Sequence, residues 1–214
     1  MSEPLAIYQY LVGTMDNFIY LIQDPQTEDI AVVDPAWDFP LIQSELDRLG
    51  GRLSMVLLTH CHFDHVNALE QVLEHSEVPV YVSNQSQSDL INELPTTCLV
   101  GDGDTITLGS NMIQVITSPG HSACGQCFYF GNHLVTGDTM FINGCGRADL
   151  EDSDPDALYD SLSRIQELPD SVTIYCGHNY SDKAIDTLGN QKKTNPYLLC
   201  KDRASFLRKR MGFS

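Results

Sequence analysis

The chain has 214 residues, 42% hydrophobic and 19% charged, which is enough to bury the core of one large domain and ordinary for a globular protein. A net charge of −17 argues against nucleic acid as a partner, because phosphates call for a basic surface, and no run approaches the roughly 18 apolar residues of a membrane span. Seven cysteines, an odd number without a framework, and a Met1-Ser2-Glu3-Pro4 start without the basic stretch of an export signal give a reducing cytoplasm as the expected location.

Residues 5–12 and 17–23, rich in β-branched and aromatic side chains, read as two strands joined at Gly13-Thr14-Met15-Asp16. A third strand, 30–33, ends at Asp34-Pro35. Leu41, Ile42, Leu46 and Leu49 recur at helical spacing between Asp38 and Gly50. An apolar strand at 53–58 leads into a helix at 64–75, a short strand at 78–82 and a polar helix at 85–93. Two hairpins follow, 105–108 with 112–117 and 126–130 with 133–136, each turning on a glycine. A helix over 154–168, capped by Ser153 or Asp154, precedes the last strand at 172–175. Residues 181–214 read as a separate, short, basic helical extension packed on a catalytic domain of residues 1–180, with a break at Asn195-Pro196. Clustered strands with helices between the clusters point to an α+β architecture of two sheets covered by helices.

The strand at 53–58 delivers Thr59-His60-Cys61-His62-Phe63-Asp64-His65. Three imidazoles and a carboxylate are costly to desolvate unless something pairs with them, and a divalent metal pairs with all four. In an extended segment His60 and His62 share one side, while Asp64 and His65 lie where the chain turns into the helix, which suits two adjacent metals. Three more strands stop at a ligand: Ser118-Pro119-Gly120-His121, Gly137-Asp138-Thr139 and Cys176-Gly177-His178. The glycines let the backbone turn sharply to present the side chain. His60, His62, Asp64, His65, His121, Asp138 and His178 are therefore candidate ligands for two divalent ions, with Asp138 able to bridge them. A shell of nitrogen and oxygen suits zinc, iron or manganese. Such a pair acidifies a shared water, and the implied chemistry is hydrolysis of a polarised carbonyl or phosphoryl bond.

In this order T-H-C-H-F-D-H, P-G-H, G-D-T and G-H resemble the metallo-β-lactamase superfamily over roughly residues 5–180. The resemblance implies a four-layer αβ/βα sandwich with the metals at its edge. It assigns His60, His62, His121 and Asp138 to one metal and Asp64, His65, His178 and Asp138 to the other. Asp138 stands where β-lactamases proper are expected to carry cysteine, which points away from antibiotic hydrolysis. Gly137-Asp138-Thr139-Met140-Phe141, Gly144-Cys145-Gly146-Arg147 and Gly177-His178-Asn179-Tyr180 are similar to glyoxalase II, the hydroxyacylglutathione thioesterase. That likeness makes Asp64 and Asp138 catalytic and Arg147 and Tyr180 substrate contacts, although the extension is too short to supply the whole C-terminal helical domain of glyoxalase II. Gly144-Cys145-Gly146-Arg147-Ala148-Asp149, with Thr194-Asn195-Pro196, is similar to persulfide dioxygenases, which implies one iron on His60, His121 and Asp138. Val33-Asp34-Pro35-Ala36-Trp37 is similar to polyketide-pathway hydrolases that clear acyl groups from carrier proteins.

All three handle sulfur-linked substrates. The expectation is hydrolysis of a small acyl thioester or acyl thiol carrier by a metal-activated hydroxide, with two divalent ions, zinc foremost and iron or manganese as alternatives. No nucleic acid or membrane partner is expected. Residues 191–214 hold seven of the twelve Lys and Arg and only one acid, Asp202. That basic stretch either docks on the acidic body or grips an anionic substrate.

Overall fold

A computed structural model describes residues 3–87, 94 and 96–212. β1 (Ala6–Val12) and β2 (Asn17–Gln23) pair antiparallel, and β3 (Asp29–Val33) adds antiparallel to β2. α1 (Phe39–Leu49) starts where the Asp38 side chain accepts from the Leu41 amide and ends at Gly50, whose φ of 67° closes the helix in the left-handed region. It carries the chain to β4 (Arg52–Leu57), parallel to β3; β5 (Val80–Ser83) and β6 (Thr97–Val100) complete a six-stranded sheet in the order β1-β2-β3-β4-β5-β6.

The second sheet is built from β7 (Thr105–Leu108), β8 (Asn111–Thr117), β9 (Gln126–Phe130) and β10 (His133–Gly137), followed by β13 (Thr173–Cys176) and β14 (Ile185–Thr187). Its order is β14-β13-β10-β9-β8-β7. A small hairpin, β11 (Met140–Phe141) with β12 (Gly144–Cys145), stands apart.

β2 is buried along its whole length, and the period-two alternation of a strand explains why. Phe18, Tyr20 and Ile22 join Ile113, Val115, Phe128 and Leu134 of the second sheet in one core. Ile19 and Leu21 point the other way and pack with Ile42 and Leu46 of α1 and with Leu69 and Val72 of α3 (Leu69–His75). Leu158, Leu162 and Ile165 of α4 (Pro155–Ile165) are buried with the second sheet. The layers therefore run helix, sheet, sheet, helix, as expected from the clustering of strands.

The structure departs from the sequence reading in several places. The helix expected over 64–75 is two helices, α2 (Phe63–Val66) and α3. Asn67 accepts from the Trp37 amide at 2.6 Å and the Ala68 amide donates to the Pro35 carbonyl at 3.2 Å, so the β3–α1 loop draws residues 67 and 68 out of helical pairing. Gln85 lies in a turn, and residues 88–93 of the expected polar helix lie outside the described residues. The described part of the expected extension 181–214, residues 181–212, is neither wholly helical nor separate. β14 pairs with β13, α5 (Leu188–Thr194) and α6 (Arg203–Met211) follow, and Leu188, Leu198 and Phe206 are buried in the main core. Among the described residues no helix is long and apolar enough to cross a membrane.

Candidate metal centre

Four strands, β4, β8, β10 and β13, end at the same edge of the sandwich, each followed by a turn that carries a candidate ligand. Gly120, just before His121, has φ +136°, and a Cβ there would meet the Leu158 backbone at 2.3 Å. At Gly177, before His178, a Cβ would fall 2.2 Å from Asp138 Oδ1. Glycine at both places is the condition for bringing the ligands together.

All seven expected ligands converge. His60, His62 and His121 form one group and Asp64, His65 and His178 another, the donor atoms within each lying no more than 4.8 Å apart. His121 Nε2 is 3.0 Å from His62 Nδ1, and His65 Nε2 is 3.3 Å from His178 Nε2. Asp138 stands between the groups: Oδ2 is 3.4 Å from His121 Nε2 and 3.3 Å from His178 Nε2, while Oδ1 is 3.5 Å from His65 Nε2. Asp64 Oδ2 lies 3.4 Å from His178 Nε2 and 3.6 Å from His65 Nε2.

The outward nitrogens are occupied. His65 Nδ1 is 3.0 Å from Asp34 Oδ2, His121 Nδ1 donates to the Arg147 carbonyl at 2.9 Å, and His178 Nδ1 donates to the Met15 carbonyl at 2.8 Å. Each ring is thereby fixed with Nε2 facing the centre, the arrangement that orients imidazole ligands. His60 Nε2 and Asp138 Oδ1 are buried without a hydrogen-bond partner. These orphaned acceptors, and donor separations close to the roughly 3.3 Å expected around a tetrahedral first-row ion, fit divalent metal.

The same cluster sets the protonation of its members. Burial and the neighbouring imidazoles, His65 first, hold His60 well below the usual range for histidine. His178 is pushed up to about 10: burial opposes the shift, but hydrogen bonds to Asp138 and Asp64 outweigh it. Burial would raise both Asp138 and Asp64, yet His65 and His178 hold both carboxyls low. The ionised carboxylates draw protons onto imidazoles where metal ions compete for the same positions.

The cleft over this centre has a volume of about 620 Å³ and a mixed wall, with Met15, Phe63, Leu150 and Tyr180 beside the guanidinium groups of Arg147 and Arg210. Tyr180 stacks on His178 with centroids 4.6 Å apart and planes 10° from parallel. Burial, with Asp138, Asp64 and Asp16, pushes its phenol up to about 12. Arg147 forks onto Asp149 at 2.8 and 3.0 Å, and both side chains are exposed. Supporting residues escaped the sequence reading. Asn17 donates to Asp64 Oδ2 at 2.9 Å and accepts from Trp37 Nε1 at 2.8 Å. Asp34 also accepts from the Thr59 amide at 2.7 Å and hydroxyl at 2.6 Å. Asn17 was signalled only by position, a polar residue at the end of an apolar strand, and Asp34 only as part of Val33-Asp34-Pro35-Ala36-Trp37, with no ligand-orienting role read from it.

Residues 12–178 match the family described as the metallo-beta-lactamase superfamily. The chain belongs to the metallo-beta-lactamase superfamily. Among its relatives is a probable polyketide biosynthesis zinc-dependent hydrolase, BaeB of Bacillus velezensis, 32% identical over 89% of this chain and 85% of the relative. A hydroxyacylglutathione hydrolase of Thermosynechococcus vestitus is 34% identical over 94% of this chain and 80% of its own length. ETHE1 from Myxococcus xanthus superposes on 98% of this superfamily member and 92% of itself, with a TM-score of 0.87 at 27% identity.

Proposed function

We propose that this metal-dependent hydrolase of the superfamily cleaves a thioester, taking a small acyl thioester or an acyl thiol carrier as substrate. The observation that carries the reading is the pair of complete donor sets joined by Asp138. His60, His62, His121 and Asp138 would hold one ion, and Asp64, His65, His178 and Asp138 the other, with zinc the first choice for this shell. Bound ions of this kind supply Lewis acidity toward a carbonyl oxygen and a water that loses its proton near neutral pH.

The chain's own groups do the rest. Asp34 and the Met15 and Arg147 carbonyls keep three imidazoles aimed inward, and Asn17 keeps the Asp64 carboxylate turned toward His65 and His178. Tyr180, protonated at neutral pH, keeps a hydroxyl to donate at the mouth of the cleft. Met15, Phe63 and Leu150 offer apolar surface to the acyl group, and Arg147 orients the thiol carrier. The names of the relatives, a hydroxyacylglutathione hydrolase and a polyketide zinc-dependent hydrolase, support substrates of this class.

A second reading, one iron on His60, His121 and Asp138 oxidising a persulfide, leaves Asp64, His65 and His178 as a complete but idle set, which is why hydrolysis is favoured. The deciding experiment measures metal content per chain on protein purified without added metal, together with thiol release from hydroxyacylglutathione and oxygen uptake on glutathione persulfide. About two equivalents of metal, thiol release and a flat oxygen trace are expected. A single iron with oxygen uptake would overturn the proposal.

A further inference from the structure

Two thiols stand on the turns that carry the first donor group. Cys61 lies between His60 and His62, and Cys124 comes soon after His121. Neither is needed as a donor there, since three imidazoles already make up the group. The turn is extended at His62, with φ −66° and ψ 146°, and side chains of extended backbone alternate, so Cys61 leaves on the side opposite its histidine neighbours. It lines a second cleft, of about 490 Å³, together with Ser86, Cys124 and Asp152. His62 borders both this cleft and the one over the metal centre.

In the second cleft the two thiols share a hydrogen bond, and the Cys61 amide donates to the Cys124 sulfur. Cys61 Sγ also lies 3.3 Å from Ser86 Oγ, and Cys124 Sγ lies 3.6 Å from Ser122 Oγ. Gln126 locks the turns behind them together, its amide donating to the Thr59 carbonyl at 2.9 Å and its side chain to the Leu58 carbonyl at 2.8 Å. Cys127, by contrast, is fully buried, with its Sγ 3.2 Å from Ser118 Oγ. Thiols already held in contact lose little further freedom when they bond, and the cleft gives a small reagent a way to them.

We propose that Cys61 and Cys124 form a reversible disulfide, a modification site that couples thiol redox state to zinc binding at His60, His62 and His121. The oxidant is a low-molecular-weight disulfide. One cysteine sulfur attacks it, releasing one small thiol and leaving a mixed disulfide; the second cysteine displaces the other small thiol. One S–S bond breaks and one forms, the two cysteines give up two electrons, and their two protons leave on the two released thiols. A disulfide holds its sulfurs about 2.05 Å apart, well inside hydrogen-bond contact, so closing it draws the two turns together and shifts the imidazoles they carry. Asp64 and His65 lie within α2, and His178 follows β13, so the second group is not on the bonded turns. Coupling is reciprocal: zinc on the first group opposes closure by the same factor by which closure weakens zinc.

The experiment equilibrates the full-length protein in graded mixtures of mercaptoethanol and its disulfide, at limiting and at saturating buffered free zinc. Acid quenching, alkylation and mass spectrometry of a non-reducing peptic digest give the fraction cross-linked. A Cys61–Cys124 link that mercaptoethanol reverses is expected, with saturating zinc shifting its midpoint about 10- to 100-fold toward the more oxidising mixtures. Competition with a chromophoric chelator should show zinc weakened by that same factor at the His60, His62 and His121 group of the cross-linked protein, and unchanged at the other group. Cys61→Ser and Cys124→Ser should hold zinc equally in reducing and oxidising mixtures, whereas Cys98→Ser, on β6, should respond as wild type does. A mixed disulfide that goes no further, or a link between other cysteines, overturns the inference. So does a Cys61–Cys124 link whose midpoint ignores zinc, or one that weakens both groups equally. Because these readings are made on the wild type, they hold even if a serine variant fails to fold.

Discussion

Asn17 Nδ2 donates to Asp64 Oδ2 at 2.9 Å, and Trp37 Nε1 holds Asn17 from behind at 2.8 Å. The bonded oxygen is the one nearest His65 and His178, so a carboxylate that would otherwise rotate is fixed with its donor edge inward. Supports of this type typically contribute 10- to 100-fold in metal affinity or activity. Asn17→Ala is therefore expected to lower zinc affinity at the Asp64, His65 and His178 group by about that factor while the other group keeps its affinity. Competition with a chromophoric chelator reads both sites; equal weakening of the two would mean that Asn17 acts on the fold rather than on Asp64. Gly177→Ala tests the close approach. Its Cβ would sit 2.2 Å from Asp138 Oδ1 and 2.9 Å from His65 Cε1, so zinc content should fall at both groups, since Asp138 lies between them. Unchanged zinc content would show that the turn can shift. The convergence of the seven candidate ligands was legible in the chain because they fall at strand exits, a pattern readable in one dimension. The roles of Asn17 and Asp34 were not, because an amide and a carboxylate acquire them only from the residues that folding sets beside them.

At the level of elements, the strands flanking the ligands announced themselves through apolar runs and turn residues, while β14, only three residues with one apolar side chain, offered no period to read. The segment that follows was mistaken for a separate extension because its composition is basic, yet its anchors are few and deep. Phe206 is fully buried beside Tyr159 and Tyr197, with ring centroids 5.5 and 6.1 Å away. Asn195 turns the backbone between α5 and α6 and donates to the carbonyls of Phe141 and Gly144 at 3.2 and 2.9 Å, tying the segment to the β11–β12 hairpin. Phe206→Ala removes an aromatic ring from a closed core and is expected to cost about 3–5 kcal/mol. Chemical denaturation should show this as a single shifted transition. A separate early transition would mean that the C-terminal segment unfolds on its own.

On the scale of the whole molecule, the two sheets share one apolar core and are also fastened by a polar staple at the edge carrying the β2–β3 turn. Asp24, fully buried, accepts from the amide of Gln26 at 2.8 Å within that turn. Across to the turn between β7 and β8 it accepts from the Ser110 amide at 2.6 Å, the Ser110 hydroxyl at 2.8 Å and Asn111 Nδ2 at 3.1 Å. Burial alone would raise its pKa, but these donors outweigh it and hold the carboxyl well below the usual carboxylate range. A carboxyl depressed in the folded state adds stability that is present above its unfolded value, near 4, and is lost as pH falls toward the folded value. Asp24→Asn keeps the size but replaces an acceptor oxygen with a donor facing other donors. It should destabilise by about 2–3 kcal/mol at pH 7. The gap between wild type and variant should then narrow as pH falls below about 4, because Asp24 takes up a proton in the unfolded chain while the folded carboxylate resists it. Urea unfolding of both proteins from pH 7 to pH 3 reads that gap directly. A difference that holds constant across the range would mean that shape, not charge, is what the staple contributes, whereas a narrowing gap makes the join between the two sheets the acid-sensitive part of the scaffold that carries the metal centre.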